Sequence, residues 1–587
     1  MKTEKMFAAK KQNLFDVNKK TSVVNPNENP FISRSLGESA KTLSGNGATK
    51  YSTSGYSVGS KFLDQFATIS QYKAPRNFSE ISKDMEFLWS LDPEMTVKFS
   101  VYIRMITRVS QLPTGEKMQT TQRGAGLKHE GISRMLWIAV NHPEVFSKNI
   151  QTFIAAGSWK DIITMLSYDL QYHGWDGKCL DWDFLGKVIL AGLTNDNTIN
   201  LVKKYLPQIK SNSKCKTLES QADNIIAKWL CSILFGNKTD NGSTYKKYRI
   251  LKNTGTAHQW QQLISQGKHK LVNFDSIHGR ALALLVGGKY LKNQGLEEKY
   301  EKWIESKPVA KFTGYPYELT TNLNRNMTNY VKNTINAQFN NLVEVAKNGL
   351  AKSNIRPISV VDTSGSMSSP MYIGSGKIGK LKSIEVAFSS AIFFNEMMDK
   401  NSPFYDVYLE FSNSTKMIHY FGNNFVDKYL NTNRDGWGGT NFQSVFDFLV
   451  NFKKNNPDVS EDLIPNFIVC FSDGEFDGIS SSVGTNVEAG RKKLSEVFSK
   501  EYCENFGMCF VDLPNTFYTR NRKPKFETFG NSKNTFYFSG YDLSPLGFLF
   551  GIEGNIDKET GEVILPKTGE DLFYASMDQE LLNLVIL

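Results

Sequence analysis

A chain of 587 residues is longer than one hydrophobic core can organise, so two or more domains are expected. A hydrophobic content of 40% and a charged content of 22% are those of an ordinary soluble protein. No apolar run approaches the roughly 18 residues of a membrane span, and the opening MKTEKMFAAKKQNLF lacks the apolar stretch of a secretory signal, so a cytoplasmic protein is expected.

The net charge of +10 conceals an asymmetry. Residues 1–350 carry 47 basic and 29 acidic side chains, the remainder 22 and 30, and residues 201–300 alone carry 17 and 6. A basic half joined to an acidic half suggests one region for a polyanion and another for cations or basic surfaces, although Lys-rich helix faces are often merely solvated. The six cysteines (Cys179, Cys215, Cys231, Cys470, Cys503 and Cys509) show no CxxC spacing and read as buried thiols of a reducing compartment.

Residues 1–60 are rich in Ser, Asn, Gly, Thr and Lys, and they predict an extended or disordered arm. Residues 61–350 predict helices. MEFLWSLDPEMTVKFSVYIRMITRV, ISRMLWIAVNHPEVFSKNIQTFIAAG, WKDIITMLSYDL, DFLGKVILAGL and ADNIIAKWLCSILFG place apolar residues three and four apart, with Pro, Gly and Asn breaks between them. Successive helices with short links predict an α-solenoid of HEAT-like pairs without a clean period.

Residues 351–587 change texture. RPISVVD, YDVYLEF, NFIVCFSD, GMCFVDL and NTFYFSGY read as apolar strands; LKSIEVAFSSAIFFNEMMDK, NFQSVFDFLVNFKKN and EAGRKKLSEVFSKEYCENF read as helices. Alternating apolar strands and helices predict a doubly wound, mostly parallel α/β sheet. Ligands of such sheets sit at the carboxyl ends of the strands. There the sequence offers Asp362, Ser364 and Ser366, then Thr440 after two glycines, then Asp473. Hydroxyl and carboxylate oxygens alone suit Mg²⁺ or another hard divalent cation, with water and an outside acidic ligand completing the shell. Gly374–Lys380 nearly fits a phosphate loop, but Leu381 stands where its hydroxyl is needed, so no nucleotide is expected and the stretch reads as a flexible lead-in.

DTSGS, Gly-Gly-Thr and Ser-Asp-Gly, each after a strand, resemble the metal-ion-dependent adhesion site (MIDAS) of von Willebrand factor A domains. That resemblance implies coordination by Ser364, Ser366 and Thr440, with Asp362 and Asp473 acting directly or through water. A helical solenoid followed by an A domain is similar to the Ro autoantigen family, in which the solenoid, the TROVE module, closes into a ring. RMITRVSQLPTGEKMQTTQRGAGLKHEGISR, HPEVFSKNIQTFIAAGSWKDIITML, TYKKYRILKN and FTGYPYEL resemble stretches of that family, although Gly124-Ala125-Gly126 stands for its usual Gly-Gly.

The resemblance implies a ribonucleoprotein scaffold rather than an enzyme, with small structured RNA, non-coding or misfolded, as partner. Phosphate contacts are expected from Arg123, Lys128, Arg134 and Lys160, from Lys203, Lys204, Lys210, Lys214 and Lys216, and from Lys246, Lys247 and Arg249. His129, Tyr245 and Tyr248 are candidate stacking rings, whereas Trp159 and Trp260 read as core. The alternative is a protein-interaction scaffold that captures an acidic partner residue at the metal without RNA. No nucleophile–base spacing or HExxH motif points to an enzyme.

Overall fold

The computed structural model describes residues 60–587 except 70–75, 106–108, 112–116, 175–178, 237–241, 255–259, 261–262, 265, 308, 313, 322, 351–354, 374–376, 435–436, 475, 479–484, 514–532, 541–546, 548 and 550–564; before residue 60 it describes only 41–43 and 49–51. The expectation of an N-terminal arm therefore lies mostly outside the described residues. Lys41–Leu43 and Thr49–Tyr51 form a two-stranded sheet. By chain contacts the protein divides into two compact units, Met1–Lys41 and Thr42–Leu587. The second holds the described helices and the six-stranded sheet.

Its first part is helical: α1 (Ser60–Ala67), α2 (Phe78–Leu91), α3 (Pro93–Arg104), α4 (Lys128–Asn141), α5 (Pro143–Ala156), α6 (Trp159–Tyr172), α7 (Trp182–Thr194), α8 (Ile199–Tyr205), α9 (Leu218–Phe235) and α10 (Gly242–Asn253). Local chemistry sets the starts. Pro93 and Pro143 occupy the first turns of α3 and α5, where no N–H is needed, and the Asp92 carboxylate accepts the Met95 N–H at 2.9 Å. Ser158 and Asp161 box the start of α6. Helices α3 and α4 approach so closely that a Cβ at Gly131 would lie 2.5 Å from Arg104 Cβ, which only glycine permits. Shorter helices follow: α11 (Gly279–Gly287), α12 (Tyr290–Asn293) and α13 (Glu297–Glu305), before the long α14 (Asn329–Leu350).

The second part is a six-stranded sheet with strands β1 (Pro357–Asp362), β2 (Val407–Phe411), β3 (Thr415–His419), β4 (Phe467–Ser472), β5 (Gly507–Asp512) and β6 (Thr535–Ser539), in the order β6-β5-β4-β1-β2-β3. Pairings are parallel except β2 with β3. Strands β1, β4 and β5 are buried at every position, as apolar runs covered on both faces must be. Around them lie α15 (Ser383–Asn395), α16 (Phe425–Asn431), α17 (Gln443–Asn455), α18 (Asn486–Leu494), α19 (Lys500–Asn505) and α20 (Gly569–Met577).

Two local expectations need correction. EAGRKKLSEVFSKEYCENF is two helices, not one, because the Ser499 hydroxyl accepts the Tyr502 N–H at 3.1 Å and starts α19 afresh. The presumed lead-in around Gly374–Lys380 belongs to an antiparallel hairpin of Pro370–Ile373 with Lys377–Lys382, residues 374–376 lying outside the described set. A phosphate loop requires the turn from strand to helix instead.

The α/β part packs on both the first and the last helices of the helical part. At one side Phe62 and Phe66 of α1 meet Phe573 of α20 at 6.0 and 5.5 Å between ring centres, and Phe66 meets Phe538 of β6 at 6.2 Å. The Gln579 amide brackets the Arg123 backbone at 2.8 and 3.0 Å, and Asn149 of α5 holds the Ile586 N–H at 2.9 Å. At the other side Phe339 of α14 stacks on Phe425 of α16 at 4.1 Å, and Asn336 accepts the Val426 N–H at 3.1 Å.

Candidate metal centre and basic surface

Parallel pairing of β1 with β4 sets Val361 beside Phe471, so the ends of the two strands leave the sheet together. One residue further, the Ser472 hydroxyl donates to Asp362 Oδ2 at 2.5 Å, and the Ser364 N–H donates to Asp362 Oδ1 at 2.8 Å. Ser364 and Ser366 place their hydroxyl oxygens 3.2 Å apart on the 3₁₀ turn that follows β1. Asp473 continues β4 and is fully buried, as is Asp362. Burial and the Asp473 carboxylate together push Asp362 up to about 7.

Thr440 reaches this edge by a separate scaffold. Its N–H donates to Asp477 Oδ2 at 2.9 Å, its carbonyl accepts the Asp477 N–H at 2.9 Å, and the Gly439 N–H donates to Asn413 Oδ1 at 2.8 Å. Gly438 adopts φ +104°, and a Cβ at Gly439 would stand 2.8 Å from Asn413 Oδ1 and 3.0 Å from Asp477 Oδ2. Gly438 therefore suits the turn as no other residue does, and a side chain at 439 would displace Asn413 or Asp477.

The buried Ser364 and Thr440 and the half-buried Ser366, with two mutually repelling carboxylates, fit a hard divalent cation, whose charge would reverse the repulsion. Sequence reading missed Ser472, Asn413 and the anchoring role of Asp477. Ser472 was visible only through strand register, and Asn413 and Asp477 only through loop contacts distant in sequence.

The basic candidates separate by burial. Arg134 requires correction. It is fully buried, its guanidinium donating to Glu130 at 2.9 Å and to Gln65 at 2.9 Å, so it belongs to the core of α4 and cannot meet a phosphate. Tyr248 is likewise buried with its hydroxyl on the Pro207 carbonyl at 2.9 Å, and is no stacking platform. His129 is half-buried, one ring nitrogen 2.9 Å from the Tyr168 hydroxyl and the other 3.1 Å from the Arg76 carbonyl. Arg123, Lys203, Lys204, Lys210 and Tyr245 are half-buried. The Lys204 ammonium lies 5.3 Å from the Tyr205 ring centre, and burial holds it below the ordinary lysine value. Lys128 and Lys160 are exposed neighbours, and partial desolvation, then repulsion from Lys160, lowers Lys128.

Lys214, Lys216, Lys246, Lys247 and Arg249 are exposed, and none is ion-paired among the described residues. Helix α10 explains the last three: Tyr248 and Lys252, whose ammonium donates to the Leu206 carbonyl at 2.5 Å, dock it and leave its cations outward. On the α/β part, Trp437 is 82% exposed immediately before Gly438. Trp159 is buried in the main apolar cluster, and Trp260 is partly buried against a second, separate cluster that includes Leu282, Tyr300 and Tyr330.

Fold and site together define a helical region joined to an α/β domain with a buried oxygen cluster at the carboxyl edge of its sheet. Residues 356–580 match a family described as a domain of unknown function (DUF7788). No curated protein matches the chain. Among solved structures, the crystal structure of the Deinococcus radiodurans RO (RSR) protein is similar at 11% identity and a TM-score of 0.38, over 71% of this chain and 85% of that one.

Proposed function

We propose that the chain is a Ro-like RNA-binding scaffold without catalytic activity: a HEAT-like helical ring of the TROVE type, bridged by a von Willebrand factor A-type domain that holds Mg²⁺. The observation that carries the RNA reading is the set of exposed cations Lys214, Lys216, Lys246, Lys247 and Arg249, none of them ion-paired among the described residues. Cations without acidic partners release counterions when phosphates take their place, and so favour polyanions with little base preference. Packing of the α/β part against both α1 and α14 supports a bridged ring. The sequence resemblance supports small structured or misfolded RNA with a single-stranded end as the partner.

At the metal centre, Ser364, Ser366 and Thr440 with Asp362 and Asp473 would hold Mg²⁺, which supplies a Lewis-acidic anchor for an incoming carboxylate. Asp477, Asn413 and Ser472 hold those ligands in place. A second reading, capture of an acidic protein partner at the metal, is favoured by Trp437, because an exposed aromatic beside a metal loop offers the apolar contact of a protein interface. Sequencing of RNA recovered from the purified full chain tests the first reading; its absence, with a protein partner lost on Trp437→Ala, would favour the second.

A further inference from the structure

The last turn of α6 ends on a cluster that neither site uses. Asp169 and His173 are four residues apart and share a helix face. Asp169 is fully buried; its Oδ1 lies 3.0 Å from His173 Nδ1, and its Oδ2 accepts the Trp182 indole N–H at 2.9 Å. Cys179, exposed on the way to α7, completes the group: one ligand atom from each of the three lies within 4.8 Å of the others. Among the described residues no other three His, Cys, Asp or Glu side chains meet that spacing.

We propose that Asp169, His173 and Cys179 bind one Zn²⁺ ion, with water as the fourth ligand. One sulfur, one imidazole nitrogen and one carboxylate oxygen form a donor set for zinc and not for Mg²⁺. Tetrahedral donors on zinc stand about 3.3–3.8 Å apart, so the present spacing needs only a small closure. Trp182 fixes the carboxylate from behind, as outer-shell donors do at zinc sites. The carbonyl end of α6, 14 residues long, adds a favourable field for a cation. Phe78 packs edge-on against the His173 ring at 5.5 Å between centres and limits its swing. Cys179 is also the one cysteine of the six that is exposed, so metal can reach it. On binding, the Cys179 thiol proton passes to solvent and the thiolate sulfur forms the bond to the metal.

The full chain, stripped with a chelator and titrated with Co²⁺, should take up one equivalent with a near-ultraviolet thiolate-to-cobalt band, which Zn²⁺ then abolishes. Cys179→Ser, an exposed substitution expected to leave the circular dichroism unchanged, should lose that band and bind Zn²⁺ about tenfold or more weakly. Asp362→Ala should retain it, which separates this site from the sheet-edge centre. Absence of the band in the unaltered chain, or equal strength in Cys179→Ser, would overturn the assignment.

Discussion

Asp362 and Arg134 are both fully buried charged residues, and their surroundings respond to burial in opposite ways. Arg134 is neutralised within the protein by Glu130, itself held by Arg76 at 2.5 Å. Removing one member of such a network strands a buried charge at a cost of about 3–5 kcal/mol. Arg134→Met should therefore lower the free energy of unfolding by up to that much, Arg76 still holding Glu130, while the folded fraction binds RNA as before. Asp362 instead faces Asp473, a repulsion that the proposed cation would relieve. Asp362→Asn keeps an acceptor for the Ser472 hydroxyl and removes one of the two repelling charges. Metal-free, this variant should melt no lower than the parent. Mg²⁺ at a hundred times its Kd should stabilise the parent by about 2.7 kcal/mol and leave the variant unchanged. A lower metal-free melting temperature, or equal stabilisation by Mg²⁺, would contradict the site. Thermal scans with and without Mg²⁺ read both effects.

Helix α10 shows how an element turns sequence into surface, because its buried Tyr248 decides which way Lys246, Lys247 and Arg249 face. Reversing all three charges should flatten the log–log salt slope for single-stranded RNA by about 2, at roughly 0.7 per phosphate contact. Filter binding across a salt series measures it; an unchanged slope would place the RNA elsewhere. Central strands were the most legible elements, since a strand buried on both faces must be continuously apolar, and β1, β4 and β5 are. The positions of two candidate ligands were legible for the same reason: Asp362 ends β1 and Asp473 follows β4. Edge strand β3 was not. Its sequence, TKMIH, is half-buried or exposed at every position and carries no long apolar run. Nor was the direction of the basic residues, because Arg134 and Lys246 look alike until the helix neighbours are known. Gly439 makes the complementary point about loops. Gly439→Ala would push against Asn413 and Asp477, so it should weaken Mg²⁺ binding about tenfold or more without touching a ligand, by calorimetry.

For the whole molecule, the decisive feature is that the α/β part shares one apolar cluster with the helical part, through Phe573 against α1 and Phe425 against α14. Such sharing predicts one cooperative unfolding transition across residues 60–587, with helical and sheet signals melting together. Phe573→Ala should lower its free energy by about 3–5 kcal/mol, and two separated transitions would show parts that stand alone. The RNA-binding claim itself is tested most directly by fluorescence anisotropy with nuclease-treated full chain and a small structured RNA bearing a single-stranded tail. With five or six phosphates neutralised, the log–log dependence of affinity on salt should have a slope of about −4, with the tailed RNA bound more tightly than a blunt duplex. Asp362→Ala should leave both results unchanged. No binding tighter than about micromolar at low salt, where counterion release is strongest, would contradict the account.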